Sequence, residues 1–372
     1  MRIAVPKETA PLERRVGLVP DGVAKLVKAG HSVVVEQGAG ASAGIPDAVF
    51  TQAGATFAPD FASTVTGADL VAKVQRPSSA EVAQLPESSL LVSYLQPAAQ
   101  KDLLAALAAR KVTAFAMELV PRTTKAQSID SLSSQATVAG YKAVLLGAGM
   151  LPKLLPMLTT AAGTLAPARV FVLGAGVAGL QAIATARRLG AIVSAFDVRP
   201  AVREQVQSLG AAFVEAEAVS TAAEGAGGYA KELADEQQTK VLEAIGKVLP
   251  TIDLVISTAA IPGRPAPRLI TREMVATMPA GSVIVDVAAE TGGNCELTRP
   301  GETVVEHGVT IVGAVNIAST VPLHASQMYG RNVLMLLQHL LTKDGAFEVD
   351  VADEITGAMA VTHGGAVRFP AS

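Results

Sequence analysis

Residues 168–197 constrain the fold of this 372-residue chain more than any other stretch. An apolar run, Arg169-Val170-Phe171-Val172-Leu173, leads into Gly174-Ala175-Gly176-Val177-Ala178-Gly179. A helical pattern over Leu180–Leu189 follows and stops at Gly190. A second apolar run, Ala191–Phe196, ends on Asp197. The pattern predicts a strand, a glycine turn, a helix and a second strand closed by a carboxylate. In such a G-x-G-x-x-G turn the first glycine, Gly174, permits the tight bend. Gly176 lets the backbone approach a pyrophosphate, and Gly179 lets helix and strand pack closely. The helix that follows offers free N-terminal N–H groups and a positive dipole end to phosphate. Asp197 is placed to accept hydrogen bonds from adenosine ribose hydroxyls. A carboxylate there repels a 2′-phosphate and favours NAD over NADP, a preference that the nearby Arg199 weakens. A plain strand-end turn remains the competing reading of Asp197.

The length suits two domains. Half the residues are hydrophobic but only 3% are aromatic, so Ala, Val, Leu and Gly fill the cores, as in closely packed parallel sheets. A net charge of −3 gives no electrostatic case for nucleic acid or anionic lipid. The one cysteine, Cys295, excludes an internal disulfide and suits a reducing compartment. The start, Met1-Arg2-Ile3-Ala4-Val5-Pro6, enters a strand directly and reads as no signal peptide. Neither Leu154–Ala168, with Pro156 and Pro167, nor the polar-interrupted run His307–Tyr329 resembles a membrane span.

Short apolar runs alternate with helical patterns along the first third of the chain. Ile3–Val5, His31–Val35, Leu70–Val74, Leu90–Tyr94 and Thr113–Ala116 predict strands, and Asp21–Ala29 and Lys101–Arg110 predict helices. Leu254–Thr258, Val283–Val287 and Val309–Val312 predict later strands. The alternation predicts an α/β protein with two Rossmann-like, doubly wound parallel sheets and a cleft between the domains. Residues 1–133 with 314–372 would form one domain, through a tail helix at Asn332–Leu341, and residues 134–313 the other. Gly225–Lys240 reads as a glycine-rich surface loop leading into a helix, either a lid near 225–240 or an insertion without mechanical role.

No pair among His31, His307, His324, His339 and His363 has metal-ligand spacing, and no C-x-x-C occurs, so no metal site is expected. Gly40-Ala41-Ser42-Ala43-Gly44 matches a nucleophile elbow only in form, because Ile45-Pro46-Asp47 prevents a helix directly after the serine. Lys73, inside Val71-Ala72-Lys73-Val74, and Arg15 are candidates to bind an acidic substrate or are ordinary strand-end and loop residues. The polar run Pro121–Gln135 reads as a hinge beside a nucleotide site.

Val5-Pro6-Lys7-Glu8, Arg14-Arg15-Val16 and Val71-Ala72-Lys73-Val74 resemble the alanine dehydrogenase and nicotinamide nucleotide transhydrogenase superfamily. The Arg122, Gln127, Asp130, Ser133 loop is similar to the hallmark of the transhydrogenase branch. So are Ala226-Gly227-Gly228-Tyr229-Ala230-Lys231-Glu232 and Ile261-Pro262-Gly263-Arg264-Pro265-Ala266-Pro267. The resemblance covers essentially the whole chain and is to the peripheral NAD(H)-binding component of the proton-translocating enzymes.

That resemblance implies direct hydride transfer from NADH on this chain to NADP⁺ on a partner subunit, coupled to proton translocation by a transmembrane subunit. It implies a homodimer that does not itself span the membrane, cytoplasmic and peripheral to the cytoplasmic membrane. Arg122, Gln127, Asp130 and Ser133 would orient the nicotinamide end. Gly174, Gly176, Val177, Ala178, Gly179, Asp197, Val198 and Arg199 would hold the pyrophosphate and adenosine end. Gly228 and Tyr229 would lie on a mobile loop over NAD, and Thr258, Ala259 and Ala260 would line the cleft. The alternative is an alanine dehydrogenase-like NAD-dependent enzyme. Its catalytic histidine would fall at Gln96 and its aspartate at Glu290, and glutamine cannot shuttle protons as imidazole does. A non-enzymatic NAD sensor is a third class, but it would have no need of a loop that positions a nicotinamide.

Overall fold

The computed structural model describes residues 1–216, 235–261, 264–342 and 347–370. They divide into two compact units, Met1–Gln135 with Ala318–Ser372, and Ala136–Ile317. Each is built on its own sheet.

In the first unit the sheet contains β1 (Arg2–Val5), β2 (Ser32–Glu36), β3 (Thr56–Ala58), β4 (Leu70–Ala72), β5 (Leu90–Ser93), β6 (Thr113–Ala116), β16 (Ala360–His363) and β17 (Ala366–Val367). Their order is β17-β16-β6-β5-β4-β1-β2-β3, and β1 to β6 pair in parallel. The chain starts at the centre, winds to one edge, returns beside β1 and winds to the other. Both β5 and β6 are buried at every position, so their apolar runs are continuous rather than alternating. The helix Pro322–Leu340 begins ten residues before the apolar run expected to carry it. Pro322 takes the first helical position, where a missing N–H costs nothing. Ala325, Ser326, Tyr329 and Gly330 carry the buried stripe back from that run.

The second unit repeats the design with β9 (Arg169–Leu173), β10 (Ile192–Phe196), β11 (Ala212–Phe213), β12 (Leu254–Ser257), β13 (Val283–Asp286), β14 (Thr303–Glu306) and β15 (Val309–Gly313). The order is β11-β10-β9-β12-β13-β15-β14, with only β14 antiparallel. An exposed hairpin of β7 (Leu158–Thr160) and β8 (Gly163–Leu165) precedes it; no pattern in the sequence announces it. Among the described residues no helix is long and apolar enough to cross a membrane.

Two local expectations need correction. β4 ends at Ala72, so Lys73 lies just beyond the strand, although its N–H still bonds the Val92 carbonyl at 2.9 Å. The polar run Pro121–Gln135 is not all loop, because a helix runs over Ser131–Met150. Asp130 caps its start by accepting from the Ser133 N–H at 2.9 Å and hydroxyl at 2.6 Å. Of the span Gly225–Lys240, the last six residues belong to the helix Asp235–Val248; those before it lie outside the described residues.

The crevice outside β1 and β4, where the winding direction changes, is filled by the unit's own charges. Lys73, with a side chain 1% exposed, lies 2.9 Å from Glu81 and 3.8 Å from Glu8. Glu8 also accepts from the N–H groups of Val74 at 2.6 Å and Gln75 at 3.3 Å. Burial pushes the Glu8 carboxyl up to about 7, against the opposing pull of Lys73 and these N–H groups. The folded state therefore holds a proton on Glu8 at pH values where the unfolded chain has released it. Stability from this group is complete below the ordinary value of 4.5 and is lost as pH rises through 7. Between pH 4.5 and 8 the wild-type chain should lose roughly 3 kcal/mol more stability than Glu8→Gln. Urea titrations of both proteins across that range check this; equal losses would show that Glu8 does not hold the proton.

Candidate functional site

The glycine turn sits at the corresponding point of the second sheet, between β9 and β12. Gly174 has φ +88, and a Cβ there would lie 2.9 Å from the Ala259 nitrogen. A Cβ on Gly179 would lie 1.8 Å from the Gly174 carbonyl oxygen. Backbone therefore meets backbone where the helix Val177–Arg188 leaves the strand. Gly176 is different: a Cβ there would meet nothing within 4 Å. The turn is tight on its protein side and open on the other, as a phosphate-approach site requires. Val177, 39% exposed, follows on the same open edge, with Ala178 half-buried beside it.

Thr258 and Ala259 abut the turn. The Thr258 N–H donates to the Leu173 carbonyl at 2.8 Å, and its hydroxyl donates to the Gly174 carbonyl at 3.0 Å. Ala260 is exposed just beyond. This segment is held from behind by Asn294, which sequence reasoning missed. Asn294 is fully buried, and its Nδ2 donates to the carbonyls of Ala259 and Pro267, each at 2.8 Å. Its Oδ1 accepts from Ser257 Oγ at 2.6 Å. Asp286, also fully buried, accepts from the N–H groups of Ala288, Asn294 and Cys295 and from the Thr298 hydroxyl. The available signal was Gly292-Gly293 directly before Asn294, both in the left-handed region. A second missed residue is Gly140, where a Cβ would lie 2.0 Å from the Ala178 carbonyl oxygen. It lets the helix Ser131–Met150 touch the first turn of the helix Val177–Arg188.

Asp197 directly follows the last residue of β10 and is 8% exposed. It accepts from the N–H of Ala175 inside the glycine turn at 2.7 Å and from the N–H of Arg199 at 2.8 Å. The Arg199 guanidinium closes on the same carboxylate, with Nε at 2.9 Å and Nη2 at 2.8 Å. Both oxygens are engaged by protein donors. Accepting ribose hydroxyls at Asp197 therefore requires the Arg199 side chain to give way, while the two N–H groups keep the carboxylate in place. Val198 between them is partly buried against the hydrophobic core of that face. Gly228, Tyr229, Pro262 and Gly263 lie outside the described residues.

In the first unit, Asp130 and Ser133 are in direct contact through the cap, and Arg122 and Gln127 are on the same loop, both exposed. Ala126 and Ile129 are buried in the core between them, and the Ser128 carbonyl accepts from Asn332 Nδ2 at 2.8 Å. The loop is thus anchored by its apolar residues and by backbone. Arg15 and Lys73, the candidate acid-binding cations, are both turned inward. Arg15 is 4% exposed and grips Glu13 through Nε at 2.8 Å and Nη2 at 2.6 Å. Burial raises the Glu13 carboxyl, but these contacts outweigh it and hold the group down at about 2. Gln96, at φ +51, accepts from Arg76 Nη1 at 2.7 Å. Glu290 accepts from the Asn316 N–H. Among the described residues no group of three or more His, Cys, Asp or Glu side chains could hold a metal ion.

Residues 4–139 match the family Alanine dehydrogenase/PNT, N-terminal domain, and residues 143–370 match Alanine dehydrogenase/PNT, C-terminal domain. The chain is 51% identical to a Rhodospirillum rubrum protein named as the first part of NAD(P) transhydrogenase subunit alpha, across all of this chain and 98% of the relative. It is 37% identical to an alanine dehydrogenase of Halomonas elongata over 81% of this chain and 76% of that protein. Among solved structures, a transhydrogenase from Sinorhizobium meliloti superposes with a TM-score of 0.90 at 44% identity, covering 99% of this chain and all of the other. An L-alanine dehydrogenase superposes with a TM-score of 0.81 at 29% identity, covering all of this chain and 98% of the other.

The glycine geometry separates two substitutions. Gly176→Ala places a methyl in open space, so the melting temperature should stay within about two degrees while NADH affinity falls at least about ten-fold. Gly179→Ala forces backbone apart and should lower both. Calorimetric melts with fluorescence titration of NADH decide the matter; full NADH affinity in Gly176→Ala would remove the phosphate from this turn.

Proposed function

The chain belongs to the alanine dehydrogenase/PNT family, and from that premise we propose that it is the NAD(H)-binding component of a proton-translocating transhydrogenase. NADH bound at the second unit's glycine turn passes its hydride directly to NADP⁺ held by a partner subunit. A separate transmembrane subunit couples the exchange to proton movement. The name of the Rhodospirillum rubrum relative, one portion of an alpha subunit, supports a division of the enzyme among several chains. In this reading the chain works as a homodimer on the cytoplasmic face of the membrane.

The observation that carries the reading is the state of the acid–base candidates. Reductive amination of a 2-oxo acid needs a cation for the carboxylate and a proton shuttle. Here Arg15 is paired with Glu13, and Lys73 is paired with Glu81. Gln96 stands where the alanine dehydrogenase branch would place its histidine, and glutamine does not titrate. Exchange between two nicotinamides needs neither group. One C–H bond breaks as NADH is oxidised, another forms as NADP⁺ is reduced, and no proton enters or leaves. What remains for the protein is binding and orientation.

The residues fit that task. The glycine turn and the N-terminus of the helix Val177–Arg188 hold the pyrophosphate, with Val177, Ala178 and Gly179 supplying N–H groups. Asp197 accepts from the adenosine ribose once Arg199 releases it, and Val198 and Arg199 flank that end. Thr258, Ala259 and Ala260 form the wall beside the turn, held rigid by Asn294. Arg122, Gln127, Asp130 and Ser133 orient the nicotinamide end.

The test is oxidation of NADH by the purified chain under two additions, NADP⁺ with the partner subunits or pyruvate with ammonia. Activity with the first alone supports the proposal. Turnover with pyruvate and ammonia would make the chain a complete amino-acid dehydrogenase. With the partners present, Arg122→Ala should slow hydride transfer by on the order of 100-fold while NADH affinity changes only a few-fold. Equal losses in both would reduce Arg122 to an ordinary binding residue.

A further inference from the structure

We propose that Gln135, seated on Arg15, is a positioning residue for hydride transfer, a role that rests on the transhydrogenase reading above. Arg15 turns two of its nitrogens to Glu13, and its third, Nη1, donates to Gln135 Oε1 at 2.7 Å. Glu13 is fixed in turn, accepting from Gln75 Nε2 at 2.8 Å and from Ser319 Oγ at 3.1 Å. The guanidinium is thereby neutralised and becomes a rigid, directional donor. The other end of the Gln135 amide donates from Nε2 to the Ala325 carbonyl at 3.0 Å, in the first turn of the helix Pro322–Leu340. Gln135 is 7% exposed, so the amide spans two partners in a site with little access for water.

Its place on the helix Ser131–Met150 gives this contact its consequence. Gln135 and Ser131 are four residues apart and share one face. Ser131 is fully buried and donates to the Met117 carbonyl at 3.1 Å. The inward face at the start of the helix is therefore fastened at three points: Met117, Arg15 and Ala325. Asp130 and Ser133, which orient the nicotinamide in the proposed reaction, belong to that same turn, and Gln127 lies one turn before it. Asn332 holds the preceding Ser128 carbonyl. Arg15, a candidate to bind an acidic substrate by sequence, here fixes the loop that presents the transfer residues. Gln135 occupies the donor that an incoming carboxylate would need.

The loop's position matters because transfer between two rings falls steeply with misplacement, about 100-fold for an ångström. Binding of the dinucleotide, by contrast, rests mainly on the glycine turn. Loss of the Gln135 contacts should therefore separate turnover from affinity. The experiment uses the full chain with its partner subunits and compares wild type, Gln135→Leu and Gln135→Glu. Transhydrogenation turnover, NADH affinity by fluorescence, and thermal melting are read for each. Gln135→Leu should lose about ten-fold or more in turnover with NADH affinity held within about two-fold. Gln135→Glu keeps an acceptor for Arg15 and should recover most of the turnover, so the comparison survives if Gln135→Leu fails to fold. Turnover unchanged in both variants, or falling in step with NADH affinity, overturns the proposal. An inactive wild-type assembly would instead count against the transhydrogenase reading itself.

Discussion

The second unit depends on one contact between backbones. The helix that follows β9 can lie against the strand only because Gly179 carries no Cβ, which would stand 1.8 Å from the Gly174 carbonyl oxygen. That approach fixes where the helix begins, and so where its unpaired N–H groups point. Everything nearby is arranged around it. Gly140 allows a second helix to reach the same turn, Asp197 takes the Ala175 N–H, and Thr258 bonds the Gly174 carbonyl. A substitution at any of these positions that altered the turn would move its whole open edge. The rigidity comes from hydrogen bonds and close packing, with little aromatic mass involved.

The two sheets share a winding pattern but use its crevice in opposite ways. In parallel sheets of this kind the strand ends open a gap where the winding reverses, and ligands occupy it. At β9 and β12 the gap is lined by glycine and small residues, with one edge open. At β1 and β4 it is occupied by Lys73, Glu8 and Glu81, with Glu13 and Arg15 close by. Tyr329 seals it by donating to the Lys73 carbonyl at 2.7 Å. Buried charges are stable only when paired and fully bonded, and here each finds its partner within the unit. Removing one member would leave its counter-charge buried alone.

The fold is legible in the sequence because its strands are buried on both faces and announce themselves as unbroken apolar runs. The runs Thr113–Ala116 and Leu254–Thr258 fall within a residue of β6 and β12. The glycine turn is legible for the same kind of reason, since its spacing follows from local geometry. What escapes depends on partners distant in sequence. The side chain of Asn294 acquires meaning only when Ala259 and Pro267 are brought to it, 35 and 27 residues away. Arg15 supplies a cation but not its environment. Its partner Gln135 lies 120 residues on, and nothing local distinguishes that glutamine from a solvated one. Lys73 reads as a member of β4 because hydropathy marks an apolar run but not the point where a side chain turns to a carboxylate. The hairpin Leu158–Leu165 lies between Pro156 and Pro167, and its strands are too short for periodicity to register.

In the proposed exchange a hydride passes between two nicotinamide rings, which leaves this chain no proton to manage. The usual marks of an active site, a perturbed histidine or a catalytic pair of carboxylates, are then dispensable for a chemical reason. The polar groups that remain are fasteners. Asn294 holds the wall of the dinucleotide site, Asp286 holds Asn294, and Arg15 with Gln135 and Ser131 holds the turn that carries Asp130 and Ser133. Each is buried and hydrogen-bonded within its own unit. In the proposed reaction part of the catalytic effect would rest on these residues, which never touch the reacting atoms. Positions behind the site then matter as well in the proposed reaction, because a lost hydrogen bond there displaces the loop that orients the ring.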